Sequence, residues 1–228
     1  MKNYYLFLLL TISNLIACDQ APKSYENIES FAFSDVIKEA EKGNPLFQNH
    51  AGNLFLHGID IEKDLNKALY WYKKSAHQEL ASSQVSLGLL YAGGLGVEKS
   101  CEMAINWFRR ASKNGSAQAK SNWAYMLSTC NDPQYRDGKL ALRLMKEKIS
   151  EHGADVADID NFAAALAETG DYEKAAKFQE QVVSALKEEN QPERLKSAIK
   201  RLNNYLENKP WRESSYIEPD VFSDNDKG

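Results

Sequence analysis

Small and large apolar residues recur in the same order in two consecutive stretches of the chain, residues 45–80 and 81–115. An offset of 36 residues pairs the small and aromatic positions as Gly52/Gly88, Phe55/Tyr91, Ala68/Ala104, Trp71/Trp107 and Tyr72/Phe108. Within each stretch, a spacing of three or four residues places an aromatic side chain one helical turn from a small residue. A repeat of this length predicts units of two antiparallel helices that bury their apolar faces by stacking on each other.

Helical spacing continues on both sides of these two stretches. Residues 31–43 predict half a unit, and residues 116–130 and 139–150 predict the two helices of a third unit. Residues 162–175, interrupted by a glycine at position 170, predict a fourth unit. Residues 192–206 predict a capping helix whose apolar positions face inward, namely Leu195, Ile199, Leu202 and Leu206.

Residues 87–97, followed by residues 104–108, closely resemble the Sel1-like repeat, which is a relative of the tetratricopeptide repeat. Residues 162–175 resemble the central tetratricopeptide pattern. The resemblance implies an all-α, right-handed superhelical solenoid of antiparallel helix pairs. The first unit departs from the pattern because Ala51 replaces a leucine and Asp60 replaces a loop glycine, so we expect its hairpin loop to differ.

The predicted organisation has seven parts. They are a signal peptide (1–18), a flexible tether (19–30), a capping half-repeat (31–43), two Sel1-like repeats (44–115), two tetratricopeptide-like repeats (116–188), a capping helix (189–207) and a loosely ordered tail (208–228).

The first 18 residues predict a targeting segment that is excluded from the fold. Lys2 precedes a short apolar run, and the sequence Leu15-Ile16-Ala17-Cys18 ends it. This ending resembles the bacterial lipobox, which implies cleavage before Cys18 and a lipid anchor on that cysteine. The alternative is an ordinary secretory leader with an incidental cysteine. With the lipobox, Asp19 favours retention at the inner membrane, and the chain would face the periplasm.

Composition and charge exclude some functions. The 28 basic and 32 acidic residues give a net charge of −4, so no basic face accumulates for nucleic acid. The four histidines show no metal-ligand spacing with each other or with cysteine, and the glycine-rich loop at 93–96 lacks the lysine of a phosphate-binding loop. We therefore expect no catalytic residues, no metal and no cofactor.

The two remaining cysteines allow a disulfide. In the predicted architecture Cys101 begins the second helix of unit two and Cys130 ends the first helix of unit three, so the two should lie near each other. Two buried thiols are the alternative, since residues 127–141 resemble a variant of the bacterial tetratricopeptide repeat that carries a cysteine at the position of Cys130 without a partner.

The resemblance also places a concave groove on the first helices of the units. Its expected lining is Asn49, Asn53, Val85, Leu89, Ser121, Tyr125, Asp160 and Ala164. This surface is mixed and mostly uncharged, and a protein or peptide is the expected partner. The sequence thus favours a membrane-tethered interaction scaffold. Two alternatives remain open, a binder or hydrolase of cell-wall fragments or β-lactams and a structural assembly factor of an envelope complex.

Overall fold

A computed structural model of the protein describes residues 31–212, and this part of the chain is all-helical. The predicted signal segment with Cys18 and Asp19, the tether to residue 30, and residues 213–228 lie outside it. The helices are α1 (Phe33–Glu41), α2 (Pro45–His57), α3 (Leu65–Ala76), α4 (Ala81–Gly93), α5 (Cys101–Lys113), α6 (Ala117–Thr129), α7 (Gly138–His152), α8 (Val156–Glu168), α9 (Tyr172–Glu188) and α10 (Pro192–Leu206).

Consecutive helices form four stacked pairs, α2/α3, α4/α5, α6/α7 and α8/α9. Helix α1 packs on α2 at one end of the stack, and α10 packs on α9 at the other. Each pair also contacts the next through α3/α4, α5/α6 and α7/α8. The prediction of an all-α solenoid of helix pairs is therefore confirmed.

Local sequence signals explain where the second helices begin. Each starts after a residue whose side chain accepts a hydrogen bond from the backbone amide three positions on, which satisfies an otherwise unpaired donor of the first turn. These N-cap residues are Asp64, Ser100, Asp137 and Asp171. The start of all four second helices is thus encoded by a single polar residue in front of each helix.

The hairpin loops of the first two units have the same form. Both span seven residues, 58–64 and 94–100. Asp60 adopts the left-handed conformation with φ 57°, and its counterpart Gly96 has φ 68°. Our expectation that Asp60 would change the loop was wrong, because aspartate tolerates this backbone region better than most residues do. The third loop, 130–137, has eight residues, whereas the fourth, 169–171, has three.

Glycines on the first helix of each Sel1-like unit let the second helix approach closely. A Cβ added to Gly52 would lie 2.6 Å from the ring of Tyr72, and one added to Gly88 would lie 2.4 Å from the ring of Phe108. Both rings are buried. The small and large positions of the repeat are therefore complementary parts of one contact.

A polar contact also repeats at the turns between units. The buried amide of Gln48 donates to the carbonyl of Ala40 at 3.0 Å, and Gln84 donates to Ala76 at 3.2 Å. Asn114 in turn donates to the side-chain oxygen of Gln84 at 2.9 Å. Each glutamine thus satisfies a carbonyl at the end of the preceding helix and joins two units.

Helix α10 covers the last unit less completely than predicted. Ala198 and Tyr205 are its buried residues, and Leu195 and Leu202 are half-buried. Ile199 and Leu206 are 38% and 60% exposed, so the prediction that all four apolar positions face inward was wrong for these two. No further helix follows α10 within residues 31–212 to cover them.

Candidate functional site

Half of the predicted groove residues are buried in the stack. Val85 and Leu89 on α4, Ser121 on α6 and Ala164 on α8 expose between 3% and 6% of their surface. Val85 and Leu89 belong to the apolar core between units two and three. These four side chains hold neighbouring units together, so the prediction that they contact a partner fails on burial.

Three of the polar groove positions are hydrogen-bonded or ion-paired within the stack. Asn49 accepts a hydrogen bond from the hydroxyl of Ser83 at 2.7 Å, and Asn53 accepts one from the hydroxyl of Tyr72 at 2.7 Å. Asp160 forms a two-pronged ion pair with Arg201 of α10, with distances of 2.6 and 2.9 Å. Their hydrogen-bonding capacity is used within the fold.

Ser121 belongs to a buried polar network that the sequence analysis did not predict. Its hydroxyl donates to Asp158 at 2.9 Å, and Asp158 also forms an ion pair with Lys148. Burial opposes ionisation of Asp158, but the hydrogen bonds from Lys148, from the Asp155 amide and from Ser121 outweigh it and lower the pKa of this carboxyl. The network connects α6, α7 and α8 and has a structural role.

A disulfide links the second and third units at the edge formed by the hairpin loops. Cys101 at the start of α5 and Cys130 at the end of α6 are bonded, with their Cα atoms 6.2 Å apart. The bond holds the loops 94–100 and 130–137 beside each other, because each loop adjoins one of the two cysteines. It also lines a cleft between them.

This disulfide cleft has a volume of about 340 Å³ and is open to solvent on one side. Its apolar lining is Ala92, Met126 and the two bonded cysteines. Its polar lining comes from the two loops and from α6, and comprises Lys99, Ser100, Tyr125, Asn131, Asp132 and Tyr135. A second, more open cleft of about 530 Å³ adjoins it through Lys99 and Ser100 and adds the side chains of Tyr91, Val97, Glu98 and Met103.

The rim of the disulfide cleft offers hydrogen-bonding groups of both kinds. The hydroxyl of Tyr135 donates to Glu102 at 3.2 Å. Desolvation, together with this hydrogen bond, raises the pKa of Tyr135 above its ordinary value. Lys99 brings a cation to the rim, and Asp132 an anion. An apolar floor with convergent polar groups is typical of ligand-binding sites in proteins.

Of the eight predicted groove residues, Tyr125 lines this cleft. The other lining residues, among them Met126, Asn131 and Tyr135, were missed. The cysteine spacing was the available signal, since a bond between Cys101 and Cys130 brings the loops beside them together.

Two structural features that would indicate other functions are absent from residues 31–212. No group of three or more histidine, cysteine, aspartate or glutamate side chains there could hold a metal ion. None of the helices in that range has the length and apolar character needed to cross a bilayer.

Comparison with known proteins identifies the repeats. The Sel1 repeat family matches residues 45–80 and 81–116. A protective antigen of uropathogenic Escherichia coli with an SLR fold is similar to this chain at 26% identity and a TM-score of 0.55, over 66% of this chain and 32% of that one. A Sel1 repeat protein from Oxalobacter formigenes matches at 26% identity and a TM-score of 0.54, over 68% of this chain and 66% of that one.

A more distant structure has the same fold. YrrB, described as a tetratricopeptide repeat protein with an unusual peptide-binding site, is 21% identical with a TM-score of 0.50, over 68% of this chain and 74% of that chain. The matched region spans about a third of the length of the Escherichia coli antigen and about two thirds of the length of the Oxalobacter formigenes protein. The search of curated proteins found no match.

The described part of the chain has the fold of a helical-repeat solenoid, and it contains two repeats that match the Sel1 family. Its two Sel1 repeats occupy residues 45–80 and 81–116.

Proposed function

We propose that this protein is a non-enzymatic scaffold that binds an extended segment of a partner protein in the disulfide cleft. The observation that carries the proposal is the composition of that cleft, in which Met126 and the cystine form an apolar floor and Lys99 and Asp132 stand on the rim. An apolar floor gives affinity to one side chain of a bound segment, while rim groups select its neighbours. The repeat fold is consistent with protein or peptide binding.

The cleft is held by rigid elements on both sides. Cys101 and Cys130 tie α5 to α6, and the loop 130–137 is fixed by the Asp137 amide, which donates to the carbonyl of Leu127 at 2.9 Å. Ser100 makes the same contact with Tyr91 in the preceding unit. A preorganised site loses less conformational entropy on binding than a loop that must first become ordered.

We also propose that the scaffold is lipid-anchored at Cys18 and faces the periplasm. The lipobox-like sequence at residues 15–18 supports the anchor, and Asp19 favours the inner membrane. The disulfide supports an oxidising compartment, where such bonds persist. Metabolic labelling with a palmitate analogue would test the anchor. Labelling of the wild-type chain that is lost in Cys18→Ala is expected, and equal labelling of both would contradict lipidation.

The partner site is tested with a photo-crosslinking amino acid placed in intact cells. We expect a crosslinker in place of Asn131 or Tyr135, on the cleft rim, to capture one partner that a crosslinker in place of Glu188 does not. Glu188 is the control because it is exposed at the end of α9, away from the cleft.

Binding of the purified partner then decides the proposal. Asp132→Lys reverses the charge of one rim residue. If a basic group of the partner faces Asp132, the new lysine places a like charge opposite it, and we expect binding to weaken about tenfold or more. The matched control is Glu188→Lys, which makes the same charge change outside the cleft. Capture that is equal from all three positions, or an affinity that Asp132→Lys leaves unchanged, would refute the assignment of the cleft.

A further inference from the structure

The chain turns back along the stack after its last helix. Asn208 has the left-handed conformation with φ 56°, and Trp211 then packs on the core formed by α8, α9 and α10. The guanidinium of Arg212 lies 2.7 Å from the carboxylate of Glu168, at the end of α8, and donates to the carbonyl of Ser128, near the end of α6, at 3.1 Å. Between α10 and residue 212 the chain has therefore crossed the ends of α8 and α6.

A second arginine fixes this crossing point. Arg136, in the third hairpin loop, holds the other carboxylate oxygen of Glu168 at 3.0 Å and donates to the carbonyl of Cys130 at 2.9 Å. Glu168 and both arginines expose less than 30% of their side chains. Arg212 is thus held beside the loop that forms one wall of the disulfide cleft.

The next residues of the chain are within reach of both clefts. Cys130, two positions after Ser128, lines the disulfide cleft, and the second cleft adjoins it in the same direction along the stack. Residues 213–228 can extend by about 3.3 Å each, or about 50 Å in total. Neighbouring helices in such a stack lie about 10 Å apart, so distance does not limit contact with either cleft.

The sequence after Arg212 has two apolar pairs that match two adjoining clefts. Tyr216-Ile217 and Val221-Phe222 are separated by Glu218, Pro219 and Asp220. Aromatic rings make favourable contacts with sulfur, which the floor of the disulfide cleft presents in Met126 and the cystine, and the second cleft presents in Met103. Lys99 lies on the rim shared by the two clefts, where it would meet the acidic residues between the pairs.

We propose that residues 213–228 dock across these clefts as an intramolecular strap, with Tyr216 in the disulfide cleft and Phe222 in the second cleft. A tethered segment has an effective concentration in the millimolar range, so weak contacts suffice to hold it. The docking rests on the Arg212 anchor and the clefts.

The direct test places p-benzoylphenylalanine in the full chain at position 216 or 222. We expect an intrachain crosslink from position 216 to residues 125–135 and one from position 222 to residues 91–103, located by mass spectrometry of peptides. The control replaces Gln181, which is exposed on α9, and should reach neither segment. Absence of these intrachain crosslinks, or crosslinks that form only between two chains and disappear on dilution, would overturn the strap.

Hydrogen exchange gives a second readout that needs no partner. In the double variant Tyr216→Ser/Phe222→Ser we expect the backbone amides of the loops 94–100 and 131–136 to exchange about fivefold faster than in the wild type. The amides of α8 and α9 should not change and serve as the internal reference. Unchanged exchange in both loops would overturn the proposal. Failure of the crosslinkers at Asn131 and Tyr135 to capture a partner, in a protein whose crosslinks from positions 216 and 222 form as expected, would count against the proposed function alone.

Discussion

The close contact between Gly88 and Phe108 predicts that one added methyl group destabilises the stack. In Gly88→Ala, the new Cβ would lie 2.4, 2.6 and 2.9 Å from three carbons of the Phe108 ring. Ordinary contacts of this kind are about 3.4 Å or longer, so the ring would have to move by about 1 Å. Phe108 is 1% exposed and belongs to the same buried core cluster as Ala104 and Ala111, so the ring cannot move without displacing other core side chains.

The magnitude follows from two opposing effects. Overpacking of a filled core costs about 1–3 kcal/mol, and with three ring carbons closer than 3.0 Å we expect the upper part of that range, about 2–3 kcal/mol. Replacing glycine by alanine inside a helix stabilises it by about 1 kcal/mol. We therefore expect a net loss of about 1–2 kcal/mol in the free energy of unfolding, which for a domain of this size lowers Tm by about 2–8 °C. Gly52→Ala should show a similar loss, since Tyr72 is held in the equivalent position by its hydrogen bond to Asn53.

Urea unfolding followed by circular dichroism measures this effect. The control is Ser82→Ala on the exposed face of the same helix, which places the same alanine side chain where it has no buried neighbour and should be neutral or slightly stabilising. The double variant Gly88→Ala/Phe108→Leu removes the clash, and its loss should be smaller than the sum of the two single losses by about 1 kcal/mol. A neutral Gly88→Ala variant, or additive losses in the double variant, would refute the reasoning.

Three further predictions concern the disulfide, the buried ion pair and a surface carboxylate. Reduction of Cys101–Cys130, which lie 29 residues apart, should lower the free energy of unfolding by about 3–4 kcal/mol, and an unchanged urea midpoint under reducing conditions would contradict this. Lys148→Met should lower the free energy of unfolding by about 3–5 kcal/mol, because it leaves Asp158 buried without its cation. The double variant Lys148→Met/Asp158→Leu should recover most of this stability in urea unfolding. Equal losses in the single and double variants would contradict the pairing. Hydrogen bonds from Asn114 and Arg110 lower the pKa of Glu79 from 4.5 to about 2, so its contribution is present above pH 4.5 and is lost as the pH falls towards 2. Glu79→Gln should therefore flatten the decline of the urea midpoint over that pH range, and an unaltered slope would argue against it.

The repeat and its helix pairs could be predicted because the same residues carry both the sequence pattern and the packing. Gly88 and Phe108 stand out by their periodicity, and they touch in the structure. The proximity of Cys101 and Cys130 also followed from their places in the units. The bond itself could not be deduced, since a buried thiol at Cys130 fits the sequence equally well.

The site was harder to predict because the groove prediction assumed that the same two positions of the first helix face the groove in every unit. The helices approach so closely in this chain that Val85 and Leu89 became core residues. The contacts of Arg201 with Asp160 and of Arg212 with Glu168 span 41 and 44 positions of the chain and involve the end segment, which has no repeat pattern to announce them. Long-range polar contacts of this kind leave no local periodicity in a sequence.

One repeated position shows how a binding surface can arise in such a stack. Asn53, Leu89 and Tyr125 occupy the same slot in units one, two and three. In unit one, the side-chain oxygen of Asn53 accepts a hydrogen bond from the hydroxyl of Tyr72. In unit two, the residue that corresponds to Tyr72 is Phe108, which has no hydroxyl, and the slot is filled by the buried side chain of Leu89. In unit three the slot holds Tyr125, which reaches the disulfide cleft. Regular positions are used for stacking, so recognition is expected where the repeat changes, and in this chain that place is the junction after residue 116.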